Sequence, residues 1–211
     1  MIIIINPNST ASMTDAMVQT ARDACPGVAI TGWTSHDGPP AIQGPADGIA
    51  CVPPLLKLVA QASHQGARVI IIGCFDDTGL DAARAMATCP VIGIGQAAYH
   101  LAALAGARFS VVTTLDVSIP VLHENIQAYG LARSLGRVRA SGVPVLALDT
   151  DADTANARII AEIKRAVAED NVQTVVLGCA GMTHIPAAAG PRIGVRLIDG
   201  VRAAVQIGAI L

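Results

Sequence analysis

Aromatic and charged side chains are both scarce in this chain of 211 residues. Phe, Trp and Tyr make up 2% of it, Asp, Glu, Lys and Arg make up 14%, and the formal net charge is -2. A protein that tracks a phosphate backbone needs a basic surface interleaved with aromatic rings, so we expect no nucleic-acid partner. Apolar residues reach 52%, which excludes a disordered chain and predicts a globular protein with a substantial core.

Long hydrophobic runs are absent as well. The apolar start at Met1 to Ile5 is too short to span a bilayer, and it lacks the positively charged flank of a signal peptide. We therefore expect a soluble, cytoplasmic protein without a membrane partner.

Paired cysteine motifs are the third absence. The chain has no C-x-x-C pair and no histidine at zinc-ligand spacing from a cysteine, so neither a disulfide framework nor a metal site is predicted. Each thiol is then either a small core hydrophobe or a reactive group. The five thiols belong to Cys25, Cys51, Cys74, Cys89 and Cys179.

Short β-branched runs alternate with longer alanine-rich stretches along the chain. The runs stay apolar without alternation, which is typical of parallel strands that helices cover on both faces. The sequence therefore predicts an α/β fold, with one unclear segment at Leu131 to Ser141 that could be a strand flanked by loops. Strands are predicted at Ile2 to Ile5, Val28 to Thr31, Val69 to Ile72, Val91 to Ile94, Phe109 to Thr113, Val143 to Leu148, Thr174 to Leu177 and Val195 to Ile198. Helices are predicted at Thr10 to Asp23, Ala46 to His64, Leu80 to Met86, Ala97 to Ala105, Val117 to Tyr129, Thr154 to Glu169 and Gly200 to Ile210.

Two of the predicted strands end in the same way. Residues 67–74 read ARVIIIGC and residues 172–179 read VQTVVLGC, so Cys74 and Cys179 each follow a strand and a glycine. Ligands of open parallel sheets bind beyond the carboxyl ends of the strands. Two related halves would thus present two thiols to one shared cleft.

The Gly-Cys context indicates chemistry as well as packing. A lone cysteine at a strand end is usually a packing residue, but glycine permits close backbone approach. Amides after the cysteine, with the start of a helix, favour the thiolate over the thiol. One thiolate and one thiol on opposite faces of a substrate form the smallest set that removes a proton from carbon and returns another. Loop amides beyond Cys74 and Cys179 are suited to stabilise the charge that develops on a neighbouring carbonyl oxygen.

A rival motif lies in the middle of the chain. Gly93 to Ala98 reads GIGQAA, a G-x-G-x-x-A pattern between a strand and a helix, with Asp116 at a suitable distance for a dinucleotide-binding site. That fingerprint normally opens a fold, so we give this interpretation little weight.

Several polar residues have both a structural and a functional interpretation. Asn8 follows the first strand and is a candidate pocket residue, whereas Asp77 could cap the helix that follows or orient the pocket, and we favour capping. Asp76 is interpreted mainly as a cap too, although it is retained among the candidate pocket residues. His184 lies five residues after Cys179, and we place it outside the immediate site.

The chain also resembles a known family over nearly its whole length. The resemblance to the hydantoin racemase family, within the aspartate/glutamate racemase superfamily, rests on five segments. These are residues 5–10 (INPNST), 73–84 (GCFDDTGLDAAR), 112–114 (VTT), 178–182 (GCAGM) and 199–201 (DGV). The resemblance implies two Rossmann-like lobes with parallel sheets, related by a pseudo-twofold axis, with the active site in the cleft between them. We place residues 1–95 and 199–211 in the first lobe and residues 96–198 in the second.

The resemblance further assigns roles to particular residues. It implies that Cys74 and Cys179 form the catalytic pair and that no cofactor is needed. In amino-acid racemases of the superfamily the residues after the two cysteines are typically Asn and Thr; here they are Phe75 and Ala180, which suits an amide ring better than a free amino acid. The implied substrate-binding residues are Asn8, Ile42, Phe75, Asp76, Thr113, Thr114, Ala180 and Gly181.

The expected function is cofactor-independent racemisation of 5-substituted hydantoins, with allantoin as an alternative cyclic ureide substrate. Two further alternatives stay open: another activity of the superfamily (amino-acid racemase, maleate-type isomerase or decarboxylase) and a non-catalytic small-molecule binding protein. The resemblance also suggests a homo-oligomer.

Overall fold

Two parallel sheets of four strands each form the framework of the protein. The computed structural model describes residues 1–106, 108–189 and 193–211. Within them the strand orders are β2-β1-β3-β4 and β6-β5-β7-β8, so the second sheet repeats the order of the first. The strands are β1 (Ile2–Asn6), β2 (Ile30–Thr34), β3 (Val69–Ile72), β4 (Val91–Gly93), β5 (Phe109–Thr113), β6 (Leu135–Ala140), β7 (Thr174–Gly178) and β8 (Arg196–Asp199).

The central strands of both sheets are buried along their whole length. β1 consists of four isoleucines and Asn6, and each of these residues is buried, as are all residues of β3, β5 and β7. In the first sheet Ile5 of β1 lies opposite Ile72 of β3, and in the second Thr113 of β5 lies opposite Gly178 of β7. Helices on both faces account for this burial, which confirms the predicted α/β class with two sheets.

Helices connect the strands and cover the sheets. Most lie where the periodicity predicted them, and α4 begins directly at the end of β4, earlier than predicted. The helices are α1 (Ala11–Ala24), α2 (Pro45–His64), α3 (Leu80–Met86), α4 (Ile94–Ala105), α5 (Ile119–Ala128), α6 (Ala147–Thr150), α7 (Ala152–Glu169), α8 (Ile185–Ala189) and α9 (Gly200–Ile210).

Helix α9 follows the last strand of the second sheet but also contacts the first. Its N-terminus is capped by Asp199, whose carboxylate accepts a hydrogen bond of 2.7 Å from the amide of Arg202. Arg68, which precedes β3 of the first sheet, donates to the carbonyls of Gly208 and Ala209. The division of the chain at residues 95 and 199 stays a prediction.

The prediction of a strand at Val143 to Leu148 was wrong. The structure places the edge strand β6 at Leu135–Ala140, and residues 143–146 form a loop that leads into α6. Pro144 supplies no amide donor for a strand ladder, and the amide of Val145 instead donates to the side chain of Gln43 at 2.8 Å. Val143, Val145 and Leu148 are buried because they pack at the cleft and against the core, not because they belong to a sheet.

Across the described ranges, no helix combines the length and the apolar character that crossing a bilayer requires.

Candidate active site

Both Gly-Cys pairs open onto one cleft between the two sheets. Cys74 directly follows Gly73 at the end of β3, and Cys179 follows Gly178, the last residue of β7. The cleft is a small cavity that is partly open to solvent. Its walls are formed by Asn8, Met13, Ile42, Gly73, Cys74, Phe75, Asp76, Thr114, Ser118, Val145, Gly178, Cys179, Ala180 and Gly181.

The glycine before each cysteine is required by close packing. A Cβ atom on Gly73 would lie 2.6 Å from the sulfur of Met17 and 3.3 Å from the carbonyl oxygen of Ile5. A Cβ atom on Gly178 would lie 2.9 Å from Cβ of Thr113 and 3.0 Å from the carbonyl oxygen of Val112. Each strand end is thus pressed against the neighbouring central strand, which brings both cysteines to equivalent positions in the two sheets.

The two thiols have similar surroundings. A backbone hydrogen bond from Asp76 acts on Cys74, and one from Gly181 acts on Cys179, in each case from the residue two positions after the cysteine. The Oγ1 atom of Thr78 also lies 3.7 Å from Sγ of Cys74. Taken alone, these hydrogen bonds lower the pKa of each thiol, as the sequence suggested.

Burial has the larger effect on both thiols. It raises the pKa of Cys74 well above its ordinary value, and it raises the pKa of Cys179 to about 12. The negative charge of Asp76 adds to both increases. The expectation that loop amides and a following helix make the thiolate the favoured form was therefore wrong, because desolvation outweighs the amide dipoles.

Asp76 and Phe75 form one wall of the cleft next to Cys74. Burial raises the pKa of Asp76 to about 6, so this carboxyl group is much less acidic than one in water. Its backbone carbonyl accepts a hydrogen bond of 2.8 Å from Asn125 of α5. The ring of Phe75 packs edge-on against Tyr99, with 5.3 Å between ring centroids. Both residues are thus held by α4 and α5.

Asn8 is held in place by Asn6, a fully buried residue that the sequence analysis did not single out. Oδ1 of Asn8 accepts hydrogen bonds of 2.9 Å from Nδ2 of Asn6 and from the amide of Thr10, while its own amide donates to Oδ1 of Asn6. Nδ2 of Asn8 has only a 3.7 Å contact to the sulfur of Met13. Asn8 therefore retains donor capacity at the cleft.

Thr113 and Thr114 have different positions. Thr114 lines the cleft, but Thr113 is not among the residues of its walls. Oγ1 of Thr113 donates at 2.9 Å to the carbonyl of Gly178 and so fastens β5 to the strand end that carries Cys179. The hydroxyl proton of Thr113 is therefore already used within the protein, and it does not donate to a ligand as the resemblance implied.

Ile42, Ala180 and Gly181 all reach the cleft, as the resemblance implied. The segment that carries Ile42 is attached to the loop before α6, because the side chain of the next residue, Gln43, accepts a hydrogen bond from the amide of Val145. A Cβ atom on Gly181 would lie 2.6 Å from Leu148, which leaves no room there for a side chain.

Three wall residues were missed by sequence reasoning. Met13 looked like an ordinary core position of α1, Ser118 lies in a short 3-10 turn, and Val145 was assigned to a strand that does not exist. No local pattern marks them, because they reach the cleft through the packing of separate elements.

The rival dinucleotide motif serves a structural purpose. The amides of Gly95 and Gln96, at the start of α4, donate to the carboxylate of Asp77 at 3.0 and 2.7 Å. The position that a phosphate would occupy at this helix start is therefore filled by a carboxyl group of the protein itself.

The remaining candidate ligands lie away from the cleft. His184 contacts Oδ1 of Asn156 at 2.6 Å and is not part of the cleft walls. In the described part of the chain, no group of three or more His, Cys, Asp or Glu side chains is arranged to hold a metal ion.

Comparison with known proteins shows similarity over the full length. The profile of the Asp/Glu/Hydantoin racemase family matches residues 2–208. A hydantoin racemase of Rhizobium meliloti is 43% identical over 211 residues, which cover 99% of this chain and 87% of that protein.

Two solved structures have nearly the same fold. The allantoin racemase from Klebsiella pneumoniae superposes with a TM-score of 0.96 at 34% identity and covers 100% of this chain and 86% of its own. The allantoin racemase from Pseudomonas fluorescens gives a TM-score of 0.94 at 32% identity, with coverages of 100% and 89%. These similarities identify the protein as an isomerase of the racemase class. The chain belongs to the Asp/Glu/Hydantoin racemase family.

Proposed function

We propose that this protein racemises 5-substituted hydantoins by proton transfer between Cys74 and Cys179, without a cofactor. The observation that carries the proposal is that two Gly-Cys strand ends, one from each sheet, open onto the same small cleft. The similarity to hydantoin racemases, including one that is 43% identical, supports the choice of a cyclic ureide as substrate.

The proposed reaction uses one thiolate and one thiol. The thiolate removes the proton from C5 of the hydantoin ring, and the electron pair left on carbon delocalises onto the adjacent carbonyl oxygen. The thiol on the other side then returns a proton to the opposite face, which leaves the two sulfurs with exchanged protonation states. Since burial raises the pKa of both thiols, the thiolate that forms is a stronger base than an exposed one.

The walls of the cleft favour an apolar substituent on C5. Ile42, Met13 and Val145 are apolar wall residues, and Met13 and Val145 pack together in one small buried cluster. Polar contacts for the ring itself are available from Asn8 and from the hydroxyl of Thr114. An alkyl or aryl hydantoin would thus bury its substituent without leaving polar groups unpaired.

The proposal is tested with (S)-5-benzylhydantoin, by following optical rotation and deuterium uptake at C5 against an enzyme-free blank. We expect Cys74→Ser and Cys179→Ser each to lower kcat by about 100-fold or more, because each variant lacks one of the two proton-transfer groups. Cys89→Ser is the matched control, since Cys89 is half-buried outside the cleft, and it should keep full activity. Full activity in either cleft variant would contradict the two-base assignment.

Allantoin is the second candidate substrate. The two allantoin racemases with TM-scores of 0.96 and 0.94 favour it, although at 34% and 32% identity. Its ureido substituent would need hydrogen-bond partners where Ile42, Met13 and Val145 offer none. A panel that compares allantoin with alkyl and aryl hydantoins separates the two, and a higher kcat/KM for allantoin would overturn our choice.

A further inference from the structure

The carboxylate of Asp77, three residues after Cys74, lies at the junction of the two halves of the molecule. It is buried and accepts three hydrogen bonds: from the amides of Gly95 and Gln96 and from the hydroxyl of Tyr129, the last at 2.9 Å. Gly95 and Gln96 begin α4, and Tyr129 follows the end of α5. One side chain of the Cys74 loop thus joins two helices.

The backbone around Asp77 is adapted to this position. Asp77 has φ of 50°, in the left-handed region that non-glycine residues seldom adopt. Its amide donates to the carbonyl of Cys74, and its carbonyl accepts from the amide of Leu80. The unusual conformation directs the carboxylate away from the cleft and towards α4.

The glycines of the G-x-G motif make this approach possible. A Cβ atom on Gly93 would lie 2.1 Å from Oδ1 of Asp77, and one on Gly95 would lie 2.3 Å from the carbonyl oxygen of Phe75. Both glycines are therefore needed for the Cys74 loop to lie against the start of α4.

A further contact holds the same loop from α5. Asn125 donates at 2.8 Å to the carbonyl of Asp76. Asn125 and Tyr129 thus donate hydrogen bonds to two consecutive residues of the loop, Asp76 and Asp77. By contrast, the Cys179 loop makes no hydrogen bond to Asp77 in the described residues. The network acts on one of the two thiol-bearing loops.

We propose that Asp77 is a positioning residue for Cys74: it fastens the Cys74 loop to α4 and to Tyr129, and so fixes the Cys74 thiol at the cleft opposite Cys179. This inference rests on the proposed function, in which both thiols must face the same carbon atom. In Asp77→Asn one of the two α4 amides would face an NH₂ group instead of an oxygen, which loosens the loop without changing the size of the side chain.

The test measures the alkylation rates of Cys74 and Cys179 with iodoacetamide, by peptide mass spectrometry at pH 8.5, with kcat and KM for a hydantoin. For Asp77→Asn we expect alkylation of buried Cys74 to accelerate by about fivefold or more through local opening, with Cys179 within about twofold. The kcat should fall roughly tenfold while KM stays within about threefold, because a displaced base slows the chemistry more than binding.

Two further variants make the result decisive. Tyr129→Phe removes one donor to the carboxylate and should shift both quantities in the same direction by a smaller factor. Asp81→Asn, an exposed aspartate at the start of α3, is the matched control and should behave as the wild type. If Asp77→Asn does not fold, the alkylation rates and the kcat of Tyr129→Phe alone test the inference.

An unchanged ratio of the Cys74 to the Cys179 alkylation rate would overturn the inference, whether neither rate rises or both rise by the same factor. The outcome is separate from the proposed function, since a wild type that racemises no hydantoin refutes that function while the alkylation ratio still tests Asp77.

Discussion

At the scale of single residues, the decisive property of the cleft is how strongly it resists charge. Burial raises the pKa of Cys74, Cys179 and Asp76 together, although each of the two thiols receives a backbone hydrogen bond. A neutral ligand is therefore better suited to this site than a charged amino acid, because it adds no further ion to a desolvated space.

The thiols should consequently react slowly at neutral pH in the ligand-free protein. A free thiol has a pKa of about 8.5 and should be half ionised at that pH. For both cleft thiols, we expect the rate of alkylation by iodoacetamide to keep rising above pH 8.5 without a plateau, because only the thiolate reacts. Mass spectrometry of the two peptides between pH 6 and pH 10 checks this, and a plateau below pH 8 for either thiol would contradict it. Cys25, for comparison, lies outside the cleft.

The identity of the two cleft cysteines could be predicted from sequence, but their ionisation could not. A glycine and a cysteine at the end of an apolar strand are visible locally, and parallel sheets place such strand ends at one edge. The pKa depends on how much of the molecule excludes water from Cys74 and Cys179, and that quantity arises only when both halves are assembled. Met13 and Val145 escaped notice for the same reason.

At the scale of elements, the edge strand β6 is secured by a buried arginine. The guanidinium of Arg139 pairs with Glu162 at 3.1 Å and with Glu169 at 2.8 Å, and it also contacts Asp170. Ser110 of β5 donates to Asp170 at 2.7 Å. Strand β6 is thereby tied to the end of α7 and to its neighbouring strand.

Removing this arginine should destabilise the protein. Arg139→Met removes the buried guanidinium that pairs with Asp170 and Glu162 and leaves them only the exposed Arg137 and Arg165, so we expect the free energy of unfolding to fall by about 3 kcal/mol. Arg165→Met is the matched control: Arg165 pairs with Glu162 and Glu169 on the surface, and its loss should cost less than about 1 kcal/mol. Urea unfolding at pH 7 measures both, and equal losses would contradict the special role of Arg139.

The same cluster predicts a dependence on pH. Burial works against the charge of Asp170, but hydrogen bonds from Arg139 and Ser110 hold its pKa below the ordinary value of 3.8. A carboxylate with a lowered pKa in the folded state contributes its full stability above its unfolded pKa and loses it as the pH falls further. The wild type should therefore lose stability from about pH 4 downwards more steeply than Arg139→Met. Parallel urea titrations at pH 7, 4 and 3 test this, and parallel curves would exclude the linkage.

Strand β6 could be predicted only as one interpretation of the unclear segment at Leu131 to Ser141, because its signal is obscured by these charges. Leu135–Ala140 reads LGRVRA, in which two arginines interrupt the apolar run, and the partners that neutralise Arg139 lie more than twenty residues away. The VPVLAL segment at residues 143–148 looked more like a strand, although Pro144 excludes a regular ladder there. The core strands, by contrast, could be predicted, because continuous apolar runs such as Ile2 to Ile5 are visible in the sequence.

At the scale of the whole molecule, equivalent helices hold the two sheets together. Helix α4 follows β4, the last strand of the first sheet, and α9 follows β8, the last strand of the second. Their first residues meet, since a Cβ atom on Gly200 would lie 2.7 Å from the carbonyl oxygen of Ile94. The two halves are thus joined through buried backbone, close to the network around Asp77.

A methyl group at this junction should be costly. Gly200→Ala would press against the backbone of Ile94, which cannot rotate away, and we expect a loss of about 2 kcal/mol. Gly48→Ala is the matched control in α2, where the nearest atom to the added Cβ is 3.9 Å away, so its stability should stay equal or rise by up to about 1 kcal/mol. Thermal unfolding of both variants checks this, and a neutral Gly200→Ala would show that the helices separate easily.

Assembly beyond one chain stays a prediction. Exposed apolar side chains occur at Ile49, Leu104 and Ile210, which lie on three different helices. Sedimentation of the purified protein would determine whether the expected homo-oligomer forms.

The repeated strand order has one more consequence. Because β3 and β7 hold equivalent places in sheets of the same order, a flat ring bound between their ends, as proposed, would meet a glycine, a sulfur and a backbone amide on either side. Left- and right-handed forms of one compound differ only in which side carries the hydrogen atom. Under the proposed function, the duplicated architecture would therefore present nearly the same chemical groups to both enantiomers.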